Sequence, residues 1–391
     1  MNSLDVLLVV IVLAYAVSGY VQGFVVNLVA TIGLLVGAGG AILLVPRLLD
    51  SGSSGSLQTS LLALGLVIGA AAIGQAVGTY LGTDLRGGIR SGSARHVDAV
   101  GGGALSIVTV LVATWALGYS VSGTSIPYLS SAARQSAILG EVDAIMPERA
   151  SGALRAFNRT LDANLFPRYI DPFTPEQIQA VGPPDDVILS EAGVREAGRS
   201  VVKVTGRAVC GRGIEGSGFV YGPGRVMTNA HVVAGVSEPF VDVDGREVPG
   251  QVVVFDADLD IAVIATSDLG VPALDFDESG APGQSAAVLG YPLNGPFDAR
   301  SARIREQMTL RSPDIYERGE VLRETFSIRG LVRSGNSGGP LVSTEGDVLG
   351  VIFAASISDS ATGYAVTAEA AAENAAEGLR SSTAVDTGGC A

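Results

Sequence analysis

Three short stretches of this 391-residue chain carry side chains that could perform acyl transfer. Thr228-Asn229-Ala230-His231 supplies an imidazole, Asp258-Leu259-Asp260-Ile261-Ala262 supplies carboxylates, and Ser334-Gly335-Asn336-Ser337-Gly338-Gly339-Pro340 supplies a hydroxyl among glycines. A serine hydroxyl is a weak nucleophile until a neighbouring base takes its proton. Neutral imidazole is such a base, and a buried carboxylate on its far side fixes the tautomer and steadies the imidazolium. Glycines around Ser337 allow the tight turn that exposes its hydroxyl, and they let backbone N–H groups point at one spot where an oxyanion could sit. The chain has two histidines, and His96 lies among the arginines of a loop between apolar stretches, so a histidine base here is His231. Taken singly, the serine motif could be an ordinary turn and the histidine a surface residue. Their occurrence together, in the order His, Asp, Ser, argues for chemistry. Asp256 and Asp258 compete with Asp260 for the carboxylate role. No cofactor and no metal are expected.

The elements that must hold these groups are short. β-branched runs recur at Val201–Val204, Gly218–Tyr221, Gln251–Phe255, Ala286–Gly290, Glu320–Ile328 and Val348–Phe353, separated by Gly, Pro, Asp and Asn. That spacing predicts an all-β sandwich or barrel. An Ala/Glu run from Thr367 to Leu379 predicts one helix. Upstream, 122–196 is a polar, partly helical linker, with amphipathic helices expected over Ala132–Ile145 and Ala150–Ala163. It is punctuated by Phe166-Pro167, Asp171-Pro172 and Gly182-Pro183-Pro184.

The front of the chain is a different material. Overall the residues are 47% hydrophobic and 16% charged, with a mean hydropathy of +0.40. Residues 1–121 hold four arginines and four aspartates, so the whole net charge of −14 falls on the rest. An acidic back half repels phosphate backbones, which excludes nucleic acid as a partner. Leu4–Gly19, Phe24–Val45, Leu61–Gly82 and Val100–Val121 are apolar stretches near the length of a bilayer crossing, and membrane lipid is the expected partner of this part. Arg86, Arg90 and Arg95 place the loop between the third and fourth spans in the cytoplasm and therefore the β domain outside. Gly33/Gly37, Gly65/Gly69 and Gly74/Gly78 are candidates for close helix packing, and Asn27 and Gln75 for interhelical hydrogen bonds.

Residues 198–380 resemble the trypsin/chymotrypsin-like serine proteases, nearest the bacterial HtrA-type branch, through Thr228–His231, Asp260-Ile261-Ala262-Val263, Leu289-Gly290-Tyr291-Pro292 and Gly335–Pro340. The resemblance implies two β-barrels with the site between them, His231 as base, Asp260 as orienting acid and Ser337 as nucleophile. It also implies the N–H groups of Gly335 and Ser337 as the oxyanion hole. By the same alignment Leu331 lies at the base of the substrate pocket and Ala354 and Ala355 on one wall, which favours apolar P1 residues. Too few residues follow Val366 for the PDZ domains usual in HtrA proteases. Residues 1–121 resemble the colicin V production family of four-span membrane proteins, through Gly19-Tyr20, Gly23-Phe24 and Asp98 to Gly101. The combination resembles the actinobacterial membrane-anchored proteases of the mycobacterial acid-resistance type. That implies envelope stress as the setting and envelope proteins such as peptidoglycan hydrolases as substrates.

The expected architecture is thus an α-helical four-span domain (1–121), a linker (122–196) and an all-β chymotrypsin-like double barrel outside the cytoplasm (197–391). Cys210 and Cys390 are the only cysteines, and both fall in the part expected to face an oxidising compartment, which predicts a disulfide stapling the carboxy-terminal tail and helix to the first barrel. Digestive relatives carry an aspartate where Asn336 stands, so a soluble fragment starting anywhere in 185–197 is expected to be active without a defined first residue. The competing reading is a membrane scaffold or export factor whose β domain binds peptides without cleaving them.

Overall fold

The computed structural model describes residues 2–49, 57–87, 91–121, 132–147, 176, 178–316, 318–356 and 358–391. It divides into two compact units, one ending before residue 176 and the other containing Glu176–Ala391.

The first unit is helical. α1 (Ser3–Gln22), α2 (Phe24–Leu49), α3 (Leu57–Arg86) and α4 (Gly92–Val121) are each long and apolar enough to cross a membrane. Their apolar residues run all round the helix, as expected where lipid is the solvent. α2 and α3 meet through glycines. A Cβ added at Gly33 would overlap the Gly74 carbonyl, one at Gly37 the Ala70 carbonyl, and one at Gly78 the Val29 carbonyl. Among the described residues nothing lies within 4 Å of a Cβ added at Gly65 or Gly69, so that pair makes no packing contact with them. Gly33→Ala is therefore expected to lower the detergent-solubilised melting temperature, since overpacking against backbone costs about 1–3 kcal/mol. Gly65→Ala should be neutral or slightly stabilising, and equal melting of the two variants would refute the packing assignment.

The α1–α2 turn explains the Gly19–Phe24 and Asp98 elements. Gly23 sits at φ +85°, and Asp98 approaches so closely that a Cβ there would overlap its carboxylate. Asp98 accepts the Val25 N–H at 3.0 Å and pairs with Arg86 at 2.8 Å, while Arg86 also donates to the Val21 carbonyl at 2.6 Å. Asn27 accepts from Ser106 on α4 at 2.8 Å, whereas the Gln75 side chain has no such partner among the described residues. His96 lies on the first turns of α4 rather than in a loop, and Arg90 lies outside the described residues. Of the two expected linker helices, α5 (Ala137–Ile145) forms and docks on this unit: buried Asp5 accepts from Ser136 at 2.6 Å, and Trp115 donates to Asp143 at 2.7 Å. The helix expected over Ala150–Ala163, with Phe166-Pro167 and Asp171-Pro172, falls outside the described residues.

In the second unit the end of the linker belongs to the β domain. A 3-10 turn (Asp186–Ser190) and α6 (Ala192–Gly198) bury Ile188, Val194 and Ala197 in its core, so 178–196 packs on the β domain. β1 (Val201–Arg207), β2 (Gly213–Gly222), β3 (Arg225–Thr228), β4 (Phe240–Val243), β5 (Arg246–Pro249), β6 (Gln251–Asp256) and β7 (Ile261–Ala265) form a curled seven-stranded sheet in the order β5-β4-β1-β2-β3-β7-β6. α7 (Ala230–Val233) is a single turn after β3. β8 (Ser285–Gly290), β9 (Asp298–Ser312), β10 (Val321–Gly330), β11 (Pro340–Val342), β12 (Val348–Ala355) and β13 (Thr362–Thr367) close a barrel in the order β10-β13-β12-β11-β8-β9. α8 (Ala368–Arg380) follows, N-capped by Thr367 as the Ala/Glu run predicts.

Strand alternation sorts the core. Val202, Val204, Val226 and Ile264 fill the curled sheet, and Val288, Ile304, Ile328 and Leu341 fill the closed barrel. The opposite faces, through Val201, Phe219, Met227, Leu289 and Phe353, meet in a third cluster that joins the two halves. Because both faces of these strands are covered, β7 reads as an unbroken apolar run rather than an alternating one.

Candidate active site

His231 stands on α7, directly after β3, and Asp260 sits in the turn that enters β7. β3 and β7 are neighbours, with Thr228 opposite Ala262, so the pairing itself brings the two segments together. Asp260 has φ +62°, a left-handed conformation that strains a non-glycine residue. Asn229 holds it there by donating to the Asp260 carbonyl at 2.8 Å. The Asp260 carboxylate is fully buried, and both of its oxygens serve His231. Oδ1 accepts the His231 backbone N–H at 2.9 Å, and Oδ2 faces ring Nδ1 at 2.7 Å. A carboxylate accepts only, so Nδ1 carries the proton and Nε2 presents its lone pair. The competing acids are otherwise engaged or remote: Asp256 accepts the N–H groups of Asp258 and Leu259 and the Asn374 amide, and Asp258 is exposed.

Ser337 is placed by a turn that the curled sheet clamps. The Asn336 N–H closes onto the Arg333 carbonyl at 2.9 Å, with Gly335 inside the turn at φ +90°. The Asn336 side chain accepts the Arg333 N–H at 2.9 Å, so this neutral residue finds its partner within the turn. Buried Ser217 on β2 does the clamping. Its hydroxyl donates to the Gly335 carbonyl at 2.6 Å and accepts the Tyr291 N–H at 2.8 Å, while its N–H reaches the Ser337 carbonyl at 2.8 Å. A Cβ added at Gly216 would stand 2.7 Å from Val232, next to His231, and 3.1 Å from the Ser337 carbonyl. The structure therefore brings His231, Asp260 and Ser337 into one locality. Sequence reasoning missed Ser217; the Gly216-Ser217-Gly218 spelling, where a side chain on either side would collide with a neighbour, was the available signal.

Of the five successive amides from Gly335 to Gly339, three are engaged and two are not. Asn336 donates to Arg333, Gly338 to Ile352 at 2.8 Å and Gly339 to Asn336 at 2.9 Å, whereas the N–H groups of Gly335 and Ser337 donate to none of the described residues. Leu293 N–H takes the Ser334 carbonyl at 2.7 Å, and in a trans peptide this turns the Gly335 N–H the opposite way. Two unengaged donors beside a serine are what stabilising a tetrahedral oxyanion requires. Burial first, then Asp244 and Asp242, pushes the Tyr291 phenol up, so the ring beside this turn stays neutral. Among the described residues no three His, Cys, Asp or Glu side chains converge to hold a metal.

Ala354 is buried and Ala355 half-buried at the end of β12, whereas Leu331 is 39% exposed and lines a surface hollow with Pro184, Leu189 and Ala361. The next residue, Val332, is the buried one, packed on Gly363. Cys210 and Cys390 form a disulfide with a Cα–Cα distance of 6.5 Å. It fastens the tail rather than the helix. Thr387 accepts the Gly235 N–H and donates to the Val236 carbonyl, both at 3.0 Å, just after α7. α8 has its own anchors in Tyr221, Arg225 and Asp256.

Comparison with known proteins agrees with both halves. Residues 216–351 match the trypsin-like peptidase domain family, and residues 4–147 match the colicin V production protein family. The chain is 34% identical to the serine protease Rv3671c of Mycobacterium tuberculosis, over 99% of this chain and 98% of that one. It is 32% identical over 168 residues to the putative serine protease HhoB of Synechocystis, covering 42% of this chain and 40% of that one. The crystal structure of the Rv3671c protease in its active form superposes with a TM-score of 0.54 at 40% identity, covering 56% of this chain and 98% of that one.

Proposed function

This chain belongs to the multi-pass membrane serine proteases of the Rv3671c type, and we propose that its endopeptidase reaction runs through Ser337, His231 and Asp260 on proteins of the cell envelope. The observation that carries the residue assignment is that both oxygens of the buried Asp260 carboxylate meet His231, beside the clamped turn of Ser337. Ser337 Oγ attacks the scissile carbonyl as His231 Nε2 takes its proton, and the N–H groups of Gly335 and Ser337 receive the oxyanion. His231 then protonates the departing amine, and the same base activates the water that releases the acyl group. By family alignment Ala354 and Ala355, with Leu331, are assigned to the P1 site, and their apolar side chains favour apolar residues. Arg86 and Arg95 at the facing ends of α3 and α4 support a cytoplasmic third loop and a protease outside the cytoplasm. The setting we assign is envelope stress or acid resistance, with peptidoglycan hydrolases among the substrates. A peptide-binding scaffold has no use for a tautomer-fixing carboxylate or for two unengaged amides beside a serine.

One experiment tests chemistry and orientation together. A membrane-impermeant fluorophosphonate applied to wall-stripped cells should label the wild type and leave Ser337→Ala unlabelled. Labelling that appears only after lysis would place the protease in the cytoplasm. Absence of labelling in both intact and lysed cells would favour the scaffold.

A further inference from the structure

In the last part of the linker, Glu176 and residues 178–184 lie on the closed barrel in a way that general packing does not explain. Arg303 on β9 and Arg329 on β10 are direct cross-strand partners, an arrangement of like charges that is destabilising by itself. Each instead donates to this stretch: Arg303 to the Pro183 carbonyl at 3.1 Å and Arg329 to the Val181 carbonyl at 2.6 Å, with Arg305 donating to the Gln179 carbonyl. Acceptors at 179, 181 and 183 are every second carbonyl, which is how an extended segment meets one surface. The stretch is a strap held by three arginines.

The strap ends on the loop between β12 and β13. The Glu176 carboxylate accepts hydrogen bonds from both the Ser356 and the Ser358 hydroxyls. Ser356 Oγ in turn accepts the N–H groups of Ser358 at 3.1 Å and Asp359 at 2.9 Å. Arg305 reaches Asp359 at 3.3 Å, and Asp359 accepts from Thr362 at 2.7 Å and from the Ala361 N–H at 3.1 Å. The loop is therefore pinned near its start by Glu176 and further on by Arg305. It begins immediately after Ala354 and Ala355, and the same β12 accepts the Gly338 N–H through Ile352.

We propose that Glu176 is a positioning residue for substrate binding: by gathering Ser356 and Ser358 it fixes the end of β12 that forms the P1 wall, and so makes the last part of the membrane linker a component of the active site. The inference rests on the peptidase reading. Ser217 and Asp260 hold Ser337, Gly335 and His231, and the Gly338 bond to β12 is made at Ile352, back from the strapped end of that strand, so loss of the strap acts on substrate binding before the chemical step. Fragments starting anywhere in 185–197 lack the strap, so they should be active without a defined first residue but with a raised KM.

The test uses the full-length protein in detergent, with an apolar-P1 peptide substrate and a small fluorophosphonate. Glu176→Ala should raise KM about tenfold, the value of one hydrogen bond to a charged group, with kcat and the fluorophosphonate labelling rate nearly unchanged. Glu176→Gln, which keeps an acceptor oxygen, should recover most of the loss. In a Ser356→Ala/Ser358→Ala background, Glu176→Ala should add nothing further. An unchanged KM in Glu176→Ala would overturn the proposal. So would a KM rise that persists in the serine-free background, or a fall in labelling rate in step with the melting temperature, which marks general loosening. If the wild type neither labels nor cleaves, the peptidase reading itself fails, and the inference with it.

Discussion

Asp260→Asn is expected to lower kcat by about 10⁴-fold while the protein still folds. The size follows from both carboxylate oxygens being engaged with the same residue. An asparagine offers one acceptor and one donor to a site that needs two acceptors. If its oxygen takes the His231 backbone N–H, its amide nitrogen faces Nδ1. The ring then moves its proton to Nε2, the atom that must receive the proton of Ser337. If its oxygen faces Nδ1 instead, two N–H donors confront each other in a fully buried site, at about 1–3 kcal/mol for the unmet pair. Either orientation disables the base or displaces it. Turnover of a peptide substrate and a thermal melt decide the matter. Activity within tenfold of the wild type would show that Asp260 does not orient His231.

The second large effect is on stability. The Cys210–Cys390 bridge spans 180 residues. Removing such a bridge typically costs about 2–5 kcal/mol, which for a domain of this size corresponds to a fall of about 5–15 °C in melting temperature. Cys390→Ser, Cys210→Ser and mild reduction of the wild type should all give this result, and non-reduced wild type should show no titratable thiol. Fluorophosphonate labelling should slow as well, because the tail that the bridge retains is bonded to Gly235 and Val236, directly after the turn that carries His231. A variant that melts and labels like the wild type would show that the bridge contributes to neither.

The candidate site was legible in sequence because each of His231, Asp260 and Ser337 sits in a short motif whose neighbours have local jobs. Asn229 bonds the Asp260 carbonyl, Gly335 adopts positive φ, and Asn336 closes its own turn. The four spans were equally legible, since lipid demands a long apolar run and little else. Strands were harder. β9 was missed because Ala302, Ile304 and Leu310 on its buried face are spaced by arginines, one of them, Arg305, itself buried, with no β-branched run to mark it. β13 was missed because it is short and buried on both faces. The strap was invisible for another reason. Arg303, Arg305 and Arg329 bind backbone carbonyls, which every residue type supplies alike, so no side-chain pattern at 178–183 records the contact. Gly65 and Gly69 show the converse: a spacing suited to packing, on a helix face that meets no neighbour among the described residues.

The position of the bridge also sets a timetable for making the enzyme. A ribosome adding about 5–20 residues per second needs about 10–40 s to travel from Cys210 to Cys390. During that interval the curled sheet with His231 and Asp260 can form, while its cysteine waits for a partner not yet synthesised. Ser337 arrives later, inside a barrel that closes only when β13 is complete. The chain thus emerges in the order proposed base, acid, nucleophile, staple, so the cysteine that closes the bridge is translated after all three groups of the candidate site.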